Sequence, residues 1–148
     1  LIETYAAHYL NPNNRNMTLF PEALSCLQRL QQQGYWLAIA TGKGRSGLDK
    51  AIAQTDTQAF WLETTCASEY PSKPAPDMVL ALCDRLSVEP EEAVVVGDTT
   101  HDLEMAANAK IRAIAVATGA HTAQQLSSMP HVAILNSLAE LPDVLETL

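Results

Sequence analysis

Ala93-Val94-Val95-Val96-Gly97-Asp98-Thr99-Thr100-His101-Asp102 decides the fold. Its four consecutive apolar residues lack the polar alternation of a half-wet strand, so they read as a strand buried on both faces. Gly97 and Asp98 end it, and a helix from His101 to about Ala109 follows. Upstream the same unit recurs: the apolar run Tyr35–Ala40, the loop Thr41-Gly42-Lys43-Gly44, and a helix from Ser46 to about Ala53. Downstream, Ile111–Ala117 is again a strand, and a weaker one lies at Phe60–Glu63. The clearest helix is FPEALSCLQRLQQQG, with Pro21 in its first turn, Leu24, Leu27 and Leu30 on one face, and Gly34 to stop it. Asp77–Leu86 repeats Val79, Leu82, Cys83 and Leu86 at helical spacing, and Thr122–Ser127, Val132–Leu135 and Ser137–Leu141 read as helix, strand and helix. Short apolar strands alternating with helices of roughly ten residues predict an α/β fold, a parallel sheet with helices on both faces.

Composition sets the outer limits. The 148 residues are 47% hydrophobic and 18% charged, which suits one domain with a buried core and excludes wholesale disorder. Nine basic against 17 acidic residues give a formal charge of −8, which weighs against a nonspecific nucleic-acid surface or an anionic membrane as partner. No apolar run approaches the roughly 18–20 residues that span a bilayer. Cys26, Cys66 and Cys83 are too widely spaced for a disulfide framework or a metal knuckle, so a reduced, cytoplasmic setting is expected. The opening LIETYAAHYL, Leu1–Leu10, is patterned like the last turns of a helix, and Asn11–Asn16 with Pro12 breaks it. With no initiator Met and no basic, apolar leader, the chain is expected to be part of something longer.

In a parallel sheet chemistry gathers outside the carboxyl ends of the strands. Three loops qualify: Thr41–Arg45, the loop around Lys73, and Asp98–Asp102. Asp98 directly follows the strongest strand, and Asp102 comes four residues later. Two readings stand side by side. Asp98 is a turn former and Asp102 a cap residue under Thr99, or the two carboxylates suit a hard, octahedral cation such as Mg²⁺. In IATGKGRSG, Gly42, Gly44 and Gly47 satisfy G-x-G-x-x-G, with Glu63 about twenty residues on, as in a dinucleotide site. Lys43 and Arg45 in the same loop better match a phosphate group, and a plain turn with glycines at positive φ remains open. Thr41, at the last strand position, offers a hydroxyl that, with the Gly42 amide, donates to a phosphoryl oxygen. Lys73 sits in SEYPSKPAPD, where prolines immobilise the loop; it reaches across the sheet edge to offset negative charge or stays in solvent. His8, His101, His121 and His131 have no metal-ligand spacing, no G-x-S-x-G or P-loop string occurs, and Trp36, Phe60 and Trp61 read as core.

The order ATGK, SKPAPDM, VVVGDTTHDLEMA, preceded by FPEALSCLQRL, resembles the haloacid dehalogenase-like hydrolases, specifically the phosphoglycolate-phosphatase-like group, over about residues 19–140. The resemblance implies a three-layer, Rossmann-like parallel sheet. It makes Thr41, with Gly42, and Lys73 phosphate-binding and catalytic, Asp98 catalytic and a metal ligand, and Asp102 the second metal ligand, with Mg²⁺ as cofactor. It also resolves the glycine loop against a dinucleotide. Members begin with an apolar strand ending in DxDGT, whose first Asp is the nucleophile, followed by a helical cap. No DxD string occurs in these residues. Residues 1–16 therefore resemble the returning end of the cap and residues 17–148 the hydrolase core, the N-terminal strand and most of the cap being absent.

For the complete protein the resemblance implies Mg²⁺-dependent hydrolysis of a small phosphomonoester, a phosphorylated metabolite, through an aspartyl-phosphate. Alternatives are a pyrophosphatase, phosphomutase or dehalogenase on the same scaffold, or a noncatalytic fragment acting as a binding or structural protein. These residues alone are expected to be inactive. In the resembled fold the missing strand lies between Tyr35–Ala40 and Ala93–Val96. The chain should therefore aggregate, pair its open edges, or take a strand from a missing segment or another chain, and a structure should show either that strand or a substitute element in its slot.

Overall fold

The computed structural model describes residues 2–5, 21–117 and 121–148. They form one six-stranded, wholly parallel sheet. Its strands are β1 (Ile2–Tyr5), β2 (Trp36–Thr41), β3 (Trp61–Cys66), β4 (Ala93–Gly97), β5 (Arg112–Val116) and β6 (Ala133–Leu135), in the order β3-β2-β1-β4-β5-β6. The helices are α1 (Pro21–Gln32), α2 (Arg45–Thr55), α3 (Asp77–Arg85), α4 (Thr100–Ala109), α5 (Ala123–Leu126) and α6 (Leu141–Glu146).

The continuous apolar runs of the strands have the cause their sequence suggests. Leu37, Ile39, Val94, Val96, Ile114 and Val116 point to one face, where Leu27 and Leu30 of α1, Leu48 of α2 and Leu141 and Leu145 of α6 cover them. The intervening Ala38, Ala40, Val95, Ala113 and Ala115 point to the other, under Met78 and Leu82 of α3, Leu103 and Ala106 of α4 and Leu126 of α5. Two dry layers flank the sheet, and among the described residues no helix is long and apolar enough to cross a membrane.

The slot between β2 and β4 is filled. Ile2–Tyr5 pairs in parallel with both neighbours, Tyr5 standing opposite Ile39 on one side and Val96 on the other. The helical reading of Leu1–Leu10 is thereby corrected for these residues. Four residues are too few for periodicity to separate helix from strand, and two flanking rows of backbone donors and acceptors settle the matter in favour of extension. The boundary drawn at residue 16 lies outside the described residues.

Smaller differences have local causes. The buried face of α1 is Ala23, Cys26, Leu27 and Leu30, while Leu24 is exposed, because the stripe follows the 3.6-residue turn rather than a strict spacing of three. Gly34, at φ +89°, stops the helix as expected. Residues Gln58–Phe60 are a 3-10 turn and β3 begins at Trp61. The last helix is Leu141–Glu146, behind a short 3-10 turn at Leu138–Glu140. Trp36 opens β2 with about half its surface exposed (49%), so it is not core.

Candidate active site

Because all six strands run the same way, their carboxyl ends share one edge. Thr41 and Asp98 each lie two residues beyond the partners of Tyr5, so the register brings them level on either side of the central slot. Two strand spacings, roughly 10 Å, separate their backbones. Both are buried, Thr41 at 2% and Asp98 at 1% exposure.

Asp102 is the organising group of the edge. Thr99 caps α4, its Oγ1 accepting from the Asp102 N–H, and Asp102 Oδ2 accepts in return from the Thr99 N–H at 3.2 Å and its hydroxyl at 2.9 Å. The other oxygen, Oδ1, accepts from the Lys73 ammonium in an ion pair with almost no exposed surface on either side chain. This reciprocal cap needs room, which Gly97 provides. A Cβ at residue 97 would lie 2.3 Å from the Asp102 Cβ. The glycine serves close approach, not the loosening of a strand end.

The cap reading of Asp102 is therefore correct, and Lys73 is directed inward rather than into solvent. Burying a lysine against a carboxylate costs desolvation that only good pairing offsets. The chain accepts that cost at a sheet edge, where an incoming anion would find a positive charge already oriented.

In the first loop, Thr41 Oγ1 accepts from the Lys43 N–H at 3.2 Å, which leaves the hydroxyl's own proton to donate. A Cβ added at Gly42 or Gly44 would meet nothing within 4 Å, so the backbone there is open to approach. None of Gly42, Gly44 and Gly47 has positive φ, which removes the conformational reason offered for them. Glu63 meets Arg85 at 3.3 Å on the edge strand, a structural ion pair unrelated to a ribose. Arg45 does not face a ligand either. Its guanidinium is bonded to Glu69, which holds the arginine above and the Glu69 carboxyl below their ordinary pKa values.

The sequence profile of the haloacid dehalogenase-like hydrolases matches residues 1–116. The chain belongs to that family. Among relatives of this haloacid dehalogenase-like chain, "Probable phosphatase IndB" of Dickeya dadantii is 34% identical over 83% of this chain and 54% of its own length. The plasmid phosphoglycolate phosphatase of Cupriavidus necator is 30% identical over 97% of this chain and 63% of its own. A haloacid dehalogenase family hydrolase from Deinococcus radiodurans, solved with bound phosphate and sodium, shares the fold with a TM-score of 0.80 at 23% identity. It is covered over 60% of its length, and this chain over 88%. The chain thus spans about half to two thirds of the length of these proteins.

Two fasteners of this haloacid dehalogenase-like site escaped the sequence. His121 Nδ1 accepts from the Thr100 N–H at 2.9 Å and so satisfies a donor at the start of α4. Asn108 donates to the Pro74 carbonyl at 2.9 Å, tying the lysine loop to α4. Neither follows from spacing, since the partners are 21 and 34 residues apart. As donors for a cation, Asp98 and Asp102 form an all-oxygen pair suited to Mg²⁺, which binds through one or two carboxylates and completes its shell with water and phosphate oxygens.

Proposed function

We propose that the complete protein is a Mg²⁺-dependent phosphatase acting on a small phosphomonoester, with these residues supplying the phosphate and metal sites. The observation that carries this reading is the buried Lys73–Asp102 ion pair at the edge where Thr41 and Asp98 stand level. The relatives named as phosphatases support the reaction class. Three buried thiols, none in a disulfide, support a reducing, cytoplasmic setting.

Lys73 and the hydroxyl of Thr41, joined by the Gly42 N–H, hold the non-bridging phosphoryl oxygens and stabilise the charge that builds on them. Asp98 would hold Mg²⁺ directly. Asp102 keeps Lys73 in place and, with one lone pair left on Oδ1 beside the Lys73 bond, would take one of the ion's waters. When bound, the ion would offset phosphoryl charge and align the ester for attack. The attacking carboxylate comes from outside these 148 residues, as the family resemblance implies. Its oxygen bonds to phosphorus as the ester P–O bond breaks, the leaving oxygen takes a proton, and water then releases phosphate and regenerates the carboxylate.

The test uses the protein carrying its upstream segment and an aryl phosphate. Activity should require Mg²⁺, Asp98→Asn should remove most of it at limiting Mg²⁺, and Lys73→Ala should cost about 10²-fold. A folded Asp98→Asn protein with parental activity would refute the metal assignment, and a loss under about twofold for Lys73→Ala would refute the phosphate role.

A further inference from the structure

Arg45 opens α2 in the loop that carries Thr41, yet its guanidinium reaches across to the end of β3 and the turn leading to Lys73. Nη2 and Nε donate to the two oxygens of Glu69 at 2.7 and 3.1 Å, and Nη1 donates to Thr64 Oγ1 at 2.7 Å. Backbone links run the same way: the Arg45 N–H donates to Ser68 Oγ at 3.0 Å, and the Lys43 carbonyl accepts from the Ala67 N–H at 3.2 Å. Thr41 precedes Arg45 by four residues, and Lys73 follows Glu69 by four. All three guanidinium nitrogens are engaged within the protein, so the arginine is not offered to a ligand. The planar fork matches a carboxylate in two parallel bonds, a geometry that a lysine cannot reproduce.

We infer that Arg45 and Glu69 form a staple that sets the separation of the Thr41 loop and the Lys73 loop, and so are positioning residues for an anion gripped between them. This rests on the phosphate site proposed above. It makes a prediction whose sign is opposite to that of plain electrostatics. If Arg45 attracted the anion by charge, removing the negative Glu69 would leave more positive charge near the site and tighten binding. A staple predicts the reverse.

The experiment measures inorganic phosphate binding to the full chain by calorimetry in the presence of Mg²⁺, for the parent, Glu69→Gln, Arg45→Lys, Lys73→Ala and Thr41→Val. Glu69→Gln and Arg45→Lys should each weaken binding about five- to tenfold, the lower range of coupling between sites. Hydrogen exchange is followed in parallel. Glu69→Gln should speed exchange at the Gly42–Gly44 amides, on the far side of the staple, as well as at Ala67–Tyr70. Unchanged or tighter phosphate binding in Glu69→Gln, or faster exchange confined to Ala67–Tyr70, would overturn the inference. If phosphate fails to bind the parent, or Lys73→Ala and Thr41→Val bind it as the parent does, the site reading fails instead. The exchange result at Gly42–Gly44 then still decides for or against the staple.

Discussion

Single side chains at the sheet edge have sharply different tolerances. Gly97→Ala drives a Cβ into the Asp102 side chain, so we expect a loss of about 1–3 kcal/mol by urea denaturation, typical of an overpacked interior. In an Asp102→Ala background Gly97→Ala should still cost as much, because the collision is with the Cβ at residue 102 itself, whereas in an Asp102→Gly background that added cost should vanish. Glu69 gives a pH signature. Arg45 holds its carboxyl below the ordinary value, so the pair's stabilisation is present above the unfolded-state pKa and is lost as pH falls through the lowered one. Thermal midpoints followed from about pH 6 down to about pH 3 should therefore fall less for Glu69→Gln than for the parent. The placement of Thr41, Lys73, Asp98 and Asp102 at the carboxyl edge of the sheet was legible in the sequence, because Thr41 ends one strand, Asp98 follows another, Asp102 falls in the first turn of the helix after it, and prolines bracket Lys73. That Asp102 is a cap and Lys73's partner at once, and that Arg45 faces Glu69, depended on contacts across 24 to 29 residues that no local pattern encodes.

At the level of elements, the strand and helix signals held wherever an apolar run was bounded by turn chemistry: β2 and β4 lie within a residue of their expected ends. They failed where tertiary pairing overrode a short pattern, as in Ile2–Tyr5. α2, expected from Ser46 to about Ala53, runs over Arg45–Thr55 although Gly44 makes no side-chain cap bond. Helix ends also show where the chain is suboptimal. α4 closes on Lys110 at φ +60°, a left-handed position that a Cβ disfavours. Lys110→Gly should raise stability by roughly 0.5–1 kcal/mol, and Lys110→Ala should not, as chemical denaturation would report. Thr99 stands at the other end of the same helix, so this gain should leave the cap that holds Asp102 undisturbed.

For the molecule as a whole, β1 is the strand that joins the two halves of the sheet: β2 and β3 lie on one side, β4, β5 and β6 on the other. Proline within it removes a ladder donor from a strand paired on both edges. Thr4→Pro should therefore abolish cooperative unfolding, whereas Gln54→Pro, on the exposed surface of α2, should cost stability while leaving a sharp transition. Cysteines provide a second readout. Cys26, Cys66 and Cys83 are buried, Cys26 and Cys66 in one layer and Cys83 in the other, and burial pushes the Cys83 thiol up. A thiol reagent at neutral pH should label none of them in the folded chain within the time that labels all three in urea. Early labelling of one layer alone would show that the two cores open independently.

A ribosome releases Ile2–Tyr5 before either of its partners exists. The strand it pairs with first, β2, emerges about thirty residues later, and β4, which closes its other edge, about ninety residues later. Through that whole interval the nascent chain carries a strand with at least one backbone edge unmet, because the half of the sheet that begins with β4 has not yet been made. Contacts this distant along the chain form slowly, and open edges invite association. The centre of the finished sheet is thus the part of it whose completion waits longest during translation, and chaperone occupancy on the growing chain should fall only once β4 has left the exit tunnel.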